Sequence, residues 1–251
     1  MRINYDEHDW QFLARILDES SGRLSRTRAG VSDTTASESK RPLLLSGDEL
    51  RRQSAANEAA VIQWIMRVRK QAAPAEPAEV RSRLLTIAEL TNRGLLPAGP
   101  LRTWDVPYRK EPLGDDGYEP SPARQIPATE LDGAIDAFCR TVQARWSELQ
   151  VDPVPLAAWS EWHLNPGPLH PFYDGCGRAA RLFAAMLLVH ADCLPPLFDD
   201  RPHYFEAANA GPLRFAEYFR ERIHACAEWL RGQTPAGTSL STGNWGAERS
   251  K

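Results

Sequence analysis

The chain has 251 residues, 42% of them hydrophobic and 25% charged, which is enough for one substantial core and too little for two large domains. Its 30 Lys and Arg against 33 Asp and Glu give a formal net charge of −3, so no global basic field draws it to nucleic acid. The longest apolar run, Leu182 to Val189, is far shorter than a membrane span, and the first residues, MRINYDEHDW, lack the apolar core of a signal peptide; the expectation is a cytoplasmic protein with no membrane partner. Cys139, Cys176, Cys193 and Cys226 show no C-x-x-C spacing, which predicts reduced thiols and no structural zinc.

In chain order, residues 5–18 are expected to form a short helix, and 20–40, rich in Ser, Thr, Gly and charge, a flexible linker, so that 1–45 stands apart from the main domain. Ser46-Gly47-Asp48-Glu49 has capping-box spacing and Leu45 can staple onto Leu50, which predicts a helix over 46–70 with Val61, Trp64, Ile65 and Val68 on its apolar face. Pro74 and Pro77 end it, and Val80, Leu84, Ile87 and Thr91 set a second helical period that closes at Gly94. Between 99 and 122 Pro and Gly recur around the turn signal Asp115-Asp116-Gly117, flanked by strand-like pieces at Arg102 to Val106 and Tyr118; a β-hairpin flap is expected there. Leu131, Ile135, Phe138, Val142 and Trp146 return to helical spacing. A helix over 156–164 must stop at Asn165-Pro166-Gly167-Pro168. The run 179–190 is apolar nearly all round and should be the central helix, and Phe215, Phe219, Ile223 and Cys226 mark a last one over 213–230, before a polar tail, 232–251, expected to be disordered. The fold class expected is all-α with a small β-hairpin flap, in one domain over 46–231.

Chemistry concentrates in His170-Pro171-Phe172-Tyr173-Asp174-Gly175-Cys176-Gly177-Arg178-Ala179-Ala180-Arg181. Gly175 and Gly177 permit a tight loop whose amides face inward, and the loop runs into a helix N-terminus, where unpaired amides and the helix dipole attract anions. Arg178 and Arg181 lie three apart on that helix and can reach one polyphosphate. Asp174 offers the single carboxylate that magnesium favours beside phosphate oxygens, and the near-neutral His170 suits removal of a proton from an attacking hydroxyl.

These residues resemble the signature of the Fic family, H-P-F-x-D/E-G-N-G-R-x-x-R, at every fixed position but one. The resemblance implies a helical domain with a β-hairpin flap that transfers a nucleoside monophosphate, most often AMP from ATP, to a Ser, Thr or Tyr hydroxyl of a protein target. It makes His170 the catalytic base, Asp174 the magnesium ligand, Gly175 and Gly177 the cradle of the α-phosphate and Arg178 and Arg181 the grip on the β- and γ-phosphates, with Phe172 packed beneath the loop. Target binding falls to the flap residues Arg102, Thr103, Trp104, Asp105 and Val106, whose strand edge can pair with a peptide, and Tyr204 lies in the segment that follows the signature helix. The departure is Cys176 in place of Asn, which removes an amide donor to the phosphate. A thiol at a helix N-terminus beside two arginines also predicts easier ionisation and a redox switch, against the simpler reading of a tolerated small residue.

Some Fic proteins restrain themselves with an inhibitory helix, S/T-x-x-x-E-G/N, whose glutamate meets the second signature arginine. Ser54 and Glu58 fit that spacing, although Ala59 departs from it, and a solvated helix face explains the same residues. His163, His190, His203 and His224 have no metal-site spacing, and Tyr204 is either a stacking platform for a nucleobase or a core aromatic. The alternative to an enzyme is a nucleotide-binding or interaction module that has lost turnover through Cys176. Other nucleotide donors, transfer of another phosphate-containing group, self-modification and a separate antitoxin partner stay open.

Overall fold

Apolar residues spaced three and four apart recur along the chain, and in the computed structural model each such stretch is a helix. The structure describes residues 5, 9–26, 45, 47–96, 101–103, 125–173 and 175–233. Among them the α-helices are α1 (Trp10–Arg26), α2 (Gly47–Val68), α3 (Pro77–Asn92), α4 (Leu131–Ala144), α5 (Val154–Leu164), α6 (Cys176–His190), α7 (Arg201–Asn209) and α8 (Pro212–Gln233), with a 3-10 turn at Trp146–Gln150 between α4 and α5.

Local chemistry sets many of the boundaries. Pro77 sits in the first turn of α3, where its missing N–H is not needed, and Gly94, at φ +70°, turns the chain away beyond the helix end. Asp200 caps α7 by accepting from the His203 amide at 2.9 Å. The carboxyl end of α5 is wrapped by the segment after it: Asn165 N–H donates to Glu161 O at 3.0 Å and Leu169 N–H to His163 O at 3.1 Å. The two prolines of that segment therefore end α5 and fold the chain back under it, which delivers His170 to the rim of the bundle.

The centre is α6. Ala179, Ala180, Ala184 and Ala185 keep its girth small, so α5, α3 and α2 pack closely around it, while Leu182, Phe183, Met186, Leu187, Leu188 and Val189 fill the core between them. Phe138 of α4 stacks on Trp159 of α5 at 5.4 Å and meets Phe183 at 5.9 Å. A second aromatic group, Phe198, Tyr204, Phe215 and Phe219, seals α7 and α8 onto that core. Among the described residues no helix is long and apolar enough to cross a membrane.

Three sequence expectations need correction. The β-hairpin flap is not found: no β-strand occurs among the described residues, and the domain is an all-α bundle. Of the flap residues, Arg102 and Thr103 form a bend tied to the loop at 170–173. The Arg102 N–H donates to Pro171 O at 2.9 Å, and the Thr103 N–H to the Tyr173 hydroxyl at 2.6 Å. Those amides are thereby taken up by the loop and are not free for a cross-strand ladder. Trp104, Asp105 and Val106 lie outside the described residues.

The second correction concerns α1, which runs on to Arg26 through residues expected to be linker. Ser20 is fully buried, donating to Pro196 O at 3.0 Å and accepting from Phe198 N at 3.1 Å, and Leu24 joins the core. Tertiary contacts of this kind override a weak helix propensity. The rest of the expected linker and the tail beyond 233 are outside the described residues. Finally, α7 was not expected as a helix, although Asp200 followed by Pro202 is a start signal.

Candidate functional site

The loop from His170 to α6 is built on two unusual backbone positions. Gly175 caps α6 at φ +73°, and a Cβ there would lie 2.7 Å from Asn92 Oδ1, so the position accepts only glycine without displacement. His170 has φ +36°, a left-handed conformation that costs a non-glycine residue about 1–3 kcal/mol and persists only where its surroundings enforce it.

Arg102 supplies that enforcement. Its side chain is 2% exposed, and its guanidinium donates to three backbone carbonyls, His170 at 2.9 Å, Leu169 at 3.4 Å and Ile126 at short range. One buried cation thus fixes the peptide on either side of His170 and fastens residues 102 and 126 to the loop. From the other side, His170 Nδ1 lies 3.3 Å from Asn165 O. A carbonyl only accepts, so Nδ1 carries the proton of the neutral ring and Nε2 keeps the lone pair a base requires.

Cys176 faces inward. Its sulfur accepts from Phe172 N and donates to Phe172 O, both at 3.2 Å, and the residue is 3% exposed. The side chain closes the loop upon itself. None of the four cysteines is in a disulfide and all four are buried, and burial pushes the Cys139 and Cys226 thiols up to about 12. A maleimide applied to native protein is therefore expected to label none of the four on the time scale of a surface thiol, with four equivalents taken up after denaturation. Fast native labelling at Cys176, located by mass spectrometry, would restore the redox-switch expectation.

Helix α2 lies across the start of α6. Ser54 Oγ accepts from the Arg178 guanidinium at 2.8 Å, so the spacing Ser-x-x-x-Glu does reach the loop arginines. Glu58, one turn further, faces Arg181 and Arg178, yet among the described residues no direct ion pair joins it to Arg181; its carboxylate instead accepts from Ser21 of α1 at 3.3 Å. Burial raises the Glu58 carboxyl above its ordinary value, opposed by Arg181, Ser21 and Arg178 and aided by Asp18.

The structure also brings in residues that spacing alone did not single out. Asn57, 3% exposed, donates to Thr91 O at 3.1 Å and Arg93 O at 2.8 Å, locking the end of α3 whose Asn92 touches Gly175. Glu161 of α5 is fully buried, and its Oε1 accepts from the Tyr204 hydroxyl at 2.6 Å. Burial lifts this carboxyl to about 7 against the pull of Arg181 and Tyr204. Tyr204 itself is 1% exposed, its ring enclosed by Phe198, Phe205 and Phe215, so it presents no open face to a nucleobase.

Asp174 lies outside the described residues. Elsewhere, Asp199, Asp200 and His203 place one ligand atom each within 4.8 Å of one another, a group that could hold a metal ion. Asp199 is already engaged there by Tyr218 at 2.5 Å and Arg222 at 2.9 Å, and Asp200 is the cap of α7.

No protein-family model matches the sequence, and no curated protein matches it. Among solved structures the chain is similar to a Fic family protein from Desulfovibrio desulfuricans G20, at 15% identity and a TM-score of 0.49, over 94% of this chain and 79% of that one. Likeness of that degree says nothing about chemistry, which has to be sought in the loop itself.

Proposed function

We propose that this protein is a Fic-type nucleotidyltransferase that moves a nucleoside monophosphate, most readily AMP from ATP, onto a hydroxyl side chain of a protein. The observation that carries the reading is the loop: a glycine at φ +73° opens α6, Arg178 and Arg181 follow on its first turns, and His170 is pinned with Nε2 as the basic nitrogen. Backbone amides of 175–177 at the helix N-terminus receive the α-phosphate, and the two guanidinium groups hold the phosphates that leave. His170 takes the proton of the target hydroxyl as its oxygen attacks the α-phosphorus. The new P–O bond forms as the bond to pyrophosphate breaks, in line, and pyrophosphate departs.

Asp174 is the proposed magnesium ligand. The donor set fits, since magnesium prefers one or two carboxylates with phosphate oxygens and water, and the ion would supply neutralisation of charge on the phosphates. Cys176 is compatible with this reading because its sulfur is engaged by Phe172, which leaves the phosphate contacts to amides.

Glu58 acts as a restraint by drawing Arg181 away from the phosphates. Glu58→Gly should raise transfer roughly 5–150-fold, the span of ordinary coupling energies. Because burial raises the Glu58 carboxyl, its charge becomes complete at a higher pH than for an ordinary carboxylate. As the pH falls through that raised value Glu58 becomes neutral, so the ratio of Glu58→Gly to wild-type activity should be largest at high pH and shrink on acidification. A ratio that does not change with pH, or an inactive Glu58→Gly, removes the restraint.

The deciding experiment incubates purified protein with magnesium and each α-labelled nucleoside triphosphate, alone and with cell lysate. Label on protein with Glu58→Gly, absent with His170→Ala, supports transfer and identifies the base. Nucleotide binding without label in any form would replace the enzyme with a nucleotide-binding module.

A further inference from the structure

Behind the loop, a chain of polar groups runs from His170 into the core. Asn165 joins its parts: its carbonyl meets His170 Nδ1 at 3.3 Å, and its Nδ2 donates to the Tyr204 hydroxyl at 3.4 Å. Tyr204 in turn donates to Glu161 at 2.6 Å. Gly177 locates Arg181 against this chain, because a Cβ on that glycine would lie 3.2 Å from an Arg181 terminal nitrogen and 3.3 Å from Asn165 Oδ1. The Arg181 guanidinium and the Asn165 carboxamide therefore share the space that the missing side chain leaves.

Glu161 is the anomaly in this arrangement. It is fully buried, and its Oε2 is buried with no hydrogen-bond partner among the described residues. A glutamine of the same shape would accept from Tyr204 equally well without a buried charge, so the fold alone does not call for a carboxylate. Among the described residues, the cation whose field reaches it is Arg181, and Tyr204 is the other titratable group facing it. Arg181 thus lies in the field of two carboxylates, Glu58 on α2 and Glu161 on α5.

We propose that Glu161, held by Tyr204, is the positioning residue for Arg181: an interior counter-charge that sets the guanidinium for the terminal phosphates of the nucleotide. The inference rests on the nucleotidyltransferase reading of the site. A long cation fixed before binding loses less rotamer freedom when it closes on phosphate, so its anchor strengthens triphosphate binding and leaves the α-phosphate step unaltered. Glu58 and Glu161 then have opposite effects through the same arginine, the first withdrawing it and the second presenting it.

The test uses the full chain carrying Glu58→Gly, with Glu161→Gln or Tyr204→Phe added. Calorimetry with magnesium measures affinity for ATP and for AMP, and label transfer gives KM and kcat. Glu161→Gln should raise KM and Kd for ATP about tenfold, change kcat less than about threefold, and leave AMP affinity unchanged, because AMP lacks the phosphates Arg181 holds. Tyr204→Phe, which deletes one hydroxyl, should shift ATP affinity in the same direction by a smaller factor, and it keeps the test decisive if the first variant fails to fold. Unchanged ATP affinity in the folded variants overturns the assignment, as does an equal loss for ATP and AMP, which marks a merely structural role. If Glu58→Gly itself binds no nucleoside triphosphate, the reading of the site has failed and the role of Glu161 falls with it; intact binding there with no effect of Glu161 defeats this inference alone.

Discussion

His170→Ala is expected to lower label transfer by about 10²–10⁴-fold, the usual worth of a positioned general base. The reason is the geometry of one ring: Asn165 O fixes the proton on Nδ1, so Nε2 is the nitrogen that carries the lone pair. Removing the ring deletes the base and leaves intact the features assigned to phosphate binding, namely the glycine at φ +73° and the two arginines of α6. Affinity for ATP, measured by calorimetry, should accordingly stay within about threefold of the parent, so that the loss appears in kcat. The backbone at 170 keeps its positive φ in an alanine variant, held by Arg102, and stability should change little. Transfer that persists at the parent rate would assign the base elsewhere, and a parallel collapse of ATP binding would make His170 a structural residue of the loop.

Phe172→Ala should cost about 3–5 kcal/mol of folding free energy, the range for deleting a fully buried aromatic. Phe172 has no exposed surface, and its backbone N–H and C=O are both engaged by the Cys176 sulfur. The ring is therefore the wedge that seats the loop on the core, and its loss leaves a cavity where the loop cannot collapse without moving Arg102 and Asn165. Against a typical total of about 5–15 kcal/mol, such a loss is large enough to read as a shifted urea midpoint. A change under about 1 kcal/mol would mean that the loop is held by its hydrogen bonds alone. In that case Cys176→Ala, which removes those bonds and little volume, should become the more damaging substitution.

Periodicity alone was enough for most of the helices. A stripe such as Leu131, Ile135, Phe138 and Val142 has one solution that buries it, and the run from Leu182 to Val189 has to be central because no face of it tolerates water. The start of α6 at Gly175, with Arg178 and Arg181 on its first turns, was legible for the same kind of reason, and the anion binding proposed there follows from a glycine turn, a helix start and two cations three apart. Glu58 could be marked by spacing, but its bond to Ser21 could not, since α1 is far away in sequence and continues past its expected end only because Ser20 and Leu24 dock on the core.

What tertiary structure alone decided are the interactions that join distant segments. Arg102, expected in a strand edge, is a buried cation holding the carbonyls around His170, and no local pattern tells a flap arginine from a core one. Tyr204, offered as a platform for a base, is sealed among aromatics with its hydroxyl on Glu161, and Glu161 is the one acid of a helix buried on most sides, whose spacing names no partner for it. Hydrophobic spacing records which face of a segment must leave water, because burial depends on the periodicity of that segment alone. It does not record which polar group meets which across the core, because a hydrogen bond or an ion pair depends on where two segments cross, and that is settled only when they pack.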